Sequence, residues 1–259
     1  MLTVLSPAKK LDTSRTTTLP LTQPQFPDEV TELTQIARDL SVPQLQKLMH
    51  ISENLAKLNA DRFADFATQD TAPAALMFDG DTYTGLDATT LSEDALRHAQ
   101  DHLRILSGLY GLLRPLDEAR PYRLEMGSRL TNPHGKTLYA YWGTKLADAL
   151  NAQAEETGAT HLLNCASQEY FGAVDTKALK LGVITPKFLE DKPGGAKVIS
   201  FYAKQARGAL ARFVVETRIT EPADLAAFTT GGYEYQPAQS TPLEPVFLRP
   251  DQAAKGKAA

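Results

Sequence analysis

The chain opens Met1-Leu-Thr-Val-Leu-Ser-Pro-Ala-Lys-Lys10, and the reading of this segment decides the fold. Leu2 to Leu5 is an apolar run of strand length. Ser6-Pro7 ends it, because proline fixes φ and has no N–H to give a sheet ladder. A strand placed this way delivers the loop that follows to the carboxyl edge of a sheet, where α/β proteins hold their ligands. Lys9 or Lys10 then stands at that edge. The same run is too short for a secretory signal, and no segment approaches the roughly 20 apolar residues of a membrane span.

Working outward, Asp28 to Leu40, Pro43 to Met49 and Glu53 to Phe66 read as helices, the third led by Ser52 as N-cap. Ala74 to Phe78 reads as a buried strand running into a polar, turn-rich loop, Gly80 to Gly85. A helix capped by Ser92 spans Glu93 to His102, and another spans Leu138 to Leu150. Leu162 to Cys165, Val183 to Leu189 and Val198 to Tyr202 read as strands, and Lys204 to Thr217 as an amphipathic helix. Gly194-Gly195 is a hairpin turn rather than a phosphate loop, since no Walker lysine and helix follow it. The expected class is α+β: a single domain over residues 1–249, with a central mixed β-sheet, surrounding helices and a helical amino-terminal subregion. The Ala- and Lys-rich tail, residues 250–259, is expected to be disordered.

With 259 residues, 42% hydrophobic and 22% charged, the chain can bury a full core. A single cysteine, Cys165, excludes an intramolecular disulfide and any cysteine-cluster metal site, which fits a reducing, cytoplasmic setting. Net charge is −4, so affinity for nucleic acid has to come from a local patch. Basic residues do concentrate between Leu103 and Lys145 and again between Lys177 and Arg218.

Within the first basic run, Ser107 to Gly127 interleaves glycine, proline, arginine and tyrosine too densely for an ordinary core element and reads as a site. Arg114, Arg120 and Arg123 offer planar forks for phosphate or carboxylate, with Tyr110 and Tyr122 beside them. Residues past strand ends add Asn164, Ser167, Glu169 and Tyr170, then Lys204 and Arg207 on the following helix. With Lys9, Arg114, Tyr122 and Arg123 these fit one cationic pocket holding the carboxylate of Glu169. Lys9, Glu169 and Lys204 are the candidate catalytic groups, for acid–base work on an anionic ligand. An internal salt-bridge network explains each residue equally well when taken singly.

Leu48-Met-His-Ile-Ser52, followed by Leu55-Ala56, has the spacing of a helix-hairpin-helix, a motif that binds DNA phosphate through backbone N–H groups. Ile51 and Ala56 fit it, while His50 and Ser52 stand where glycines are usual. The helix amino terminus at Ser52 offers unpaired N–H groups, and Lys47 and Lys57 add charge. The competing reading is a plain hairpin packing Leu45, Leu48, Ile51, Leu55 and Leu58. His98 and His102 lie one helical turn apart but lack a third ligand, so no metal site and no cofactor is expected, and Cys165 reads as a small buried thiol.

Taken in order, Ser6-Pro-Ala-Lys9, Gly80-Asp-Thr-Tyr-Thr-Gly-Leu86, Ser107-Gly-Leu-Tyr-Gly111, Arg114-Pro-Leu-Asp117, Pro121-Tyr-Arg-Leu-Glu-Met-Gly127, Tyr141-Trp-Gly143, Asn164-Cys-Ala-Ser167, Glu169-Tyr-Phe171 and Phe201-Tyr-Ala-Lys-Gln-Ala-Arg-Gly208 resemble the motifs of the bacterial YaaA peroxide-stress proteins. The resemblance covers nearly the whole chain. Cys165 departs from the usual aliphatic residue and Gln205 from a common second basic residue. The resemblance implies a cytoplasmic protein that limits hydrogen-peroxide damage by lowering unincorporated iron, with a mixed α/β fold, a positive cleft and double-stranded DNA binding by a helix-hairpin-helix. The residues themselves favour anion contact over iron chelation, so control of iron would be indirect. Two functions therefore stand: non-specific double-stranded DNA binding through the cleft, or an enzyme acting there on a nucleotide-like or other anionic small molecule.

Overall fold

The computed structural model describes residues 1–250; apart from Pro250, the tail expected to be disordered lies outside the described residues. At its centre is a five-stranded mixed sheet. Leu2–Leu5, every residue of it buried, is the middle strand, parallel to Leu103–Ser107 on one side and to His161–Asn164 on the other. Gly182–Ile184 extends the sheet in parallel beyond His161–Asn164, and Gly111–Leu113 closes the opposite edge antiparallel to Leu103–Ser107. All four residues of the opening strand are buried, so both of its faces are covered, as its apolar run requires. A second sheet of three strands, Lys187–Glu190, Val246–Arg249 and Glu234–Tyr235, packs Phe188 against Phe228, Tyr233 and Phe247.

The amino-terminal third is helical, as expected: α1 (Pro27–Arg38), α2 (Val42–Met49) and α3 (Glu53–Ala64). Ser41 and Gln44 form a capping box on α2, and the Ser52 hydroxyl accepts the Leu55 N–H to cap α3. The helix Glu93–His102 begins at the cap predicted for it.

Several sequence expectations are corrected. Ala74–Met77 is a helical turn with all its residues buried, not a strand; a short, fully buried apolar run carries no periodicity to separate the two. Gly80 to Gly85 is not a loop, because Asp81–Leu86 is helical. The strand expected at Val198 to Tyr202 is absent, and the helix that follows starts at Ser200 and runs to Thr217. One packing event explains both of these changes. A Cβ on Gly85 would lie 2.0 Å from the Gln205 carbonyl oxygen, and one on Gly208 would lie 1.8 Å from that of Thr82. The two helices touch backbone to backbone, and that contact overrides the strand propensity of the Val198-Ile199 and Phe201-Tyr202 pairs. Val183 to Leu189 divides at Pro186 into strands of different sheets, and Leu138 to Leu150 breaks at Gly143, whose φ is 48°.

The Ser107 to Gly127 stretch is the largest revision. Its first half is core. Leu109, Tyr110, Leu112 and Leu113 are at most 2% exposed, and Gly111, at φ 68°, lies where any side chain would strike Trp142. Its glycines serve close packing there rather than a ligand.

Candidate functional site

Of the four parallel strands of the central sheet, Leu2–Leu5, Leu103–Ser107 and His161–Asn164 each deliver a polar segment to the edge at which they end. The Ser6 hydroxyl accepts the Ser167 N–H at 2.9 Å, tying the loop after the first strand to the loop after His161–Asn164. The buried Tyr83 hydroxyl donates to the Ser6 carbonyl at 3.1 Å. Beyond Ser107 the chain folds back as an extended segment, admitted by Gly108, where a Cβ would lie 2.3 Å from the Leu124 carbonyl oxygen. In this segment Tyr122, Leu124 and Met126 are buried, while Arg123 and Glu125 turn to the other side. The period of two is that of an extended chain, and it aims Arg123 and Glu125 into a cleft.

Two adjoining cavities make up the cleft, and Lys9 and Glu169 line both. The first, of about 800 Å³, is bounded by Arg123, Glu125, Arg129 and the hairpin residues Lys47 and His50. The second, of about 660 Å³, is bounded by Lys10, Asp79, Asp81, Cys165, Lys204 and Arg207. Glu125 accepts the Arg123 Nε–H at 2.9 Å and faces Lys9 Nζ at 3.5 Å, while its second oxygen is buried without a partner. Glu169 is held by the Gly127 N–H at 3.0 Å, and its carbonyl accepts the Tyr139 hydroxyl at 2.8 Å. Lys204 lies 3.8 Å from Asp81 and Lys10 pairs with Asp79 at 2.5 Å. Arg207 reaches the Ala166 carbonyl at 3.4 Å, with its Nε buried and unpartnered. Burial pushes the Cys165 thiol up to about 12, so it stands in the cleft wall protonated, with little nucleophilic thiolate.

Lys9, Arg123, Glu169 and Lys204 are thus brought to one cleft, Arg123 on the hairpin side of Lys9 and Glu169 and Lys204 on the other. Other predicted residues lie elsewhere. Arg114 is spent on Asp117, a carboxylate with no exposed surface, and on the Gln23 carbonyl. Tyr122 is buried, its hydroxyl 2.6 Å from Ser107 Oγ, and desolvation raises its pKa well above the ordinary tyrosine value. Arg120 lies over the Phe66 ring and lines a separate cavity. Lys57 pairs with Glu53 at 2.7 Å, outside the cavity that holds Lys47. Glu125, Arg129, Asp79 and Asp81 were not picked out from the sequence. The alternation Tyr122-Arg123-Leu124-Glu125-Met126 was the available signal for Glu125.

His98 and His102 stack at 4.1 Å, and the His102 Nδ1 meets the Met1 carbonyl at 3.3 Å. Among the described residues no three His, Cys, Asp or Glu side chains are grouped to hold a metal ion. No described helix is long and apolar enough to cross a membrane.

This chain's relatives are consistent in length and sequence. It is 58% identical to a protein of Dinoroseobacter shibae over 254 residues, 96% of this chain and 95% of that one, and 58% identical to one of Jannaschia sp. over 257 residues, 98% and 99% of the two. A protein of Ruegeria pomeroyi is 56% identical over 256 residues, 97% of this chain and all of its own. All three carry the name UPF0246 protein. The family profile described as Peroxide stress protein YaaA matches residues 1–239, and with it the strand-end loops and the hairpin that form the cleft: the chain belongs to that peroxide-stress family.

Proposed function

We propose that this protein serves its peroxide-stress role in the cytoplasm by binding double-stranded DNA, without sequence preference, along the cationic cleft and the adjoining helical hairpin, and that it lowers unincorporated iron indirectly. One observation carries the reading: Lys47 and His50 of the hairpin line the same cavity as Lys9, Arg123 and Arg129. Strand-end cations and hairpin thereby present one surface, on a chain whose net charge is only −4. Phosphate binding needs local positive charge spread over several contacts, and it tolerates loose positioning of each contact.

Duplex anisotropy titrations at several salt concentrations test it. Affinity should fall steeply with salt, and Lys47→Glu or Arg129→Glu should weaken every duplex sequence about equally, with a shallower salt slope. Lys180→Glu, a charge reversal outside the cleft, should change little. Absence of any signal from duplex even at low salt defeats the reading.

A second reading rests on the other half of the cleft. Lys9 and Glu169 sit where the two cavities meet, at the carboxyl ends of parallel strands, with Lys204 and Arg207 on the amino-terminal half of a long helix. That placement suits an enzyme holding an anionic small molecule, Glu169 and a lysine exchanging a proton with it. Glu169→Gln separates the two. Removing a carboxylate from a phosphate-binding groove leaves DNA affinity intact or improved, whereas loss of an acid–base group removes roughly 10²- to 10⁴-fold in rate and with it peroxide protection in cells. Full protection by the Gln variant removes the catalytic reading.

A further inference from the structure

Arg120 does not join the cleft, and its surroundings point to a separate ligand. It lines a cavity of about 310 Å³ walled by α1 and the turn after α3, at the small end of the roughly 300–1,000 Å³ typical of small-molecule pockets. None of its lining residues lines either cleft cavity. Val30, Phe66 and Tyr110 give it apolar walls, Arg38 and Arg120 give it positive charge, and none of the described residues lining it is a carboxylate.

Two of its polar atoms have no partner. Thr34, on the stretch of α1 that lines the cavity, is 4% exposed, and its hydroxyl makes no hydrogen bond. Arg120 Nε is likewise buried without a partner, and its guanidinium forms no ion pair with any described residue. The Arg120 side chain is positioned all the same: its guanidinium carbon lies 5.7 Å from the Phe66 ring centre and its backbone N–H is fixed by the Tyr110 hydroxyl at 2.8 Å. Arg38 has less to offer, since its Nε–H goes to the Phe63 carbonyl at 3.1 Å. Buried polar groups are nearly always satisfied, and both orphans belong to residues that line one cationic, apolar-walled cavity.

We propose that this cavity binds a small organic monocarboxylate, its carboxylate on Arg120 and Thr34 and its apolar body against Val30, Phe66 and Tyr110. One free guanidinium fork matches one carboxylate. A dianionic phosphate would want more donors than one fork and one hydroxyl supply, and it would leave the apolar wall uncovered.

Benzoate is the probe, with inorganic phosphate beside it, read by protein-observed NMR and by thermal midpoint on the full chain. The wild type should respond saturably to benzoate, with shifts confined to residues around the cavity, and phosphate should not reproduce them. Arg120→Gln should abolish the response. Thr34→Val, nearly isosteric, should weaken benzoate about tenfold, the worth of one hydrogen bond to a charged group. It should also hold or raise the midpoint without benzoate, because it removes a buried hydroxyl that has no partner; a purely structural threonine would lower it. This second variant keeps the test alive if Arg120→Gln fails to fold. No saturable response to benzoate, an equal response to phosphate, or undiminished benzoate binding in both variants each overturns the proposal.

Discussion

The two walls of the cleft are built by opposite means. On the strand-end side, Gly85 and Gly208 let two helices meet backbone to backbone, Ser6 and Ser167 bond across neighbouring loops, and a buried tyrosine pins the Ser6 carbonyl. On the hairpin side, α2 and α3 turn through His50, a side-chain-bearing residue at φ 51°, and Leu55 and Leu58 of α3 remain 39% and 44% exposed. Ile51 and Ala56 anchor that hairpin to the core, while Lys47 and His50 ride on its outside. Groups on the first wall cannot shift without moving the sheet edge, which is the condition for preorganised chemistry. Groups on the second can adjust with a two-helix unit, which is enough for phosphate contacts that position a duplex without reading it.

The sharpest way to break the contrast is Gly208→Ala. The added Cβ meets the Thr82 carbonyl at 1.8 Å, backbone on both sides, so the helices must separate. Overpacking typically costs about 1–3 kcal/mol, and here, with no flexible side chain to yield, a loss at or above about 3 kcal/mol is expected from urea unfolding, or failure to fold. Gly158→Ala is the comparison: Gly158 has φ 67° but nothing within 4 Å of an added Cβ, so it carries only the backbone penalty of about 1 kcal/mol. Equal effects at the two positions would mean that the crossing does not set the strand-end wall.

The sequence was most legible where one signal dominated. The opening apolar run, its Ser6-Pro7 stop, the capped helices and the family motifs placed the central strand and the loops at its edge. It misled where tertiary contact outweighed local preference. Gly85 and Gly208 lie more than a hundred residues apart, and their pairing turned a predicted loop and a predicted strand into helices. Arg114, Arg120 and Arg123 look alike in sequence, yet one neutralises the buried Asp117, one faces a private cavity and one enters the cleft. Their side chains leave different local geometries, a turn closed by Asp117 against an extended chain of period two, and only contacts made by distant segments decide which side is open.

On the hairpin wall the smaller test is His50→Gly. A non-glycine residue in the left-handed region gives up about 1–2 kcal/mol, and glycine removes that strain while adding unfolded-state entropy, so a net gain of up to about 1 kcal/mol is expected in unfolding experiments. Duplex affinity should change little if backbone N–H groups make the contact, and should fall if the imidazole does. A loss of stability would show that the imidazole, rather than the turn, holds the hairpin together.

The smallest expected effect concerns the support behind the strand-end wall, where the Glu93–His102 helix packs against the Ser200–Thr217 helix. His98 there is driven down to about 4, chiefly by burial and then by the neighbouring His102 and Arg218 and the chain's amino terminus, with Asp101 opposing. Burial also lowers His102. A histidine lowered on folding is neutral in the native state, while the unfolded chain takes up a proton at about 6.5. Below that value the unfolded state binds more protons, so stability present above pH 6.5 is lost as pH falls toward about 4, where native His98 protonates in turn. The ring is only partly buried, so solvent screening reduces the effect to about 1 kcal/mol rather than the full linkage value. His98→Gln should therefore flatten the fall in thermal midpoint across that window and leave it unchanged near pH 8. An unaltered acid limb in the variant would mean that His98 bears none of the pH dependence.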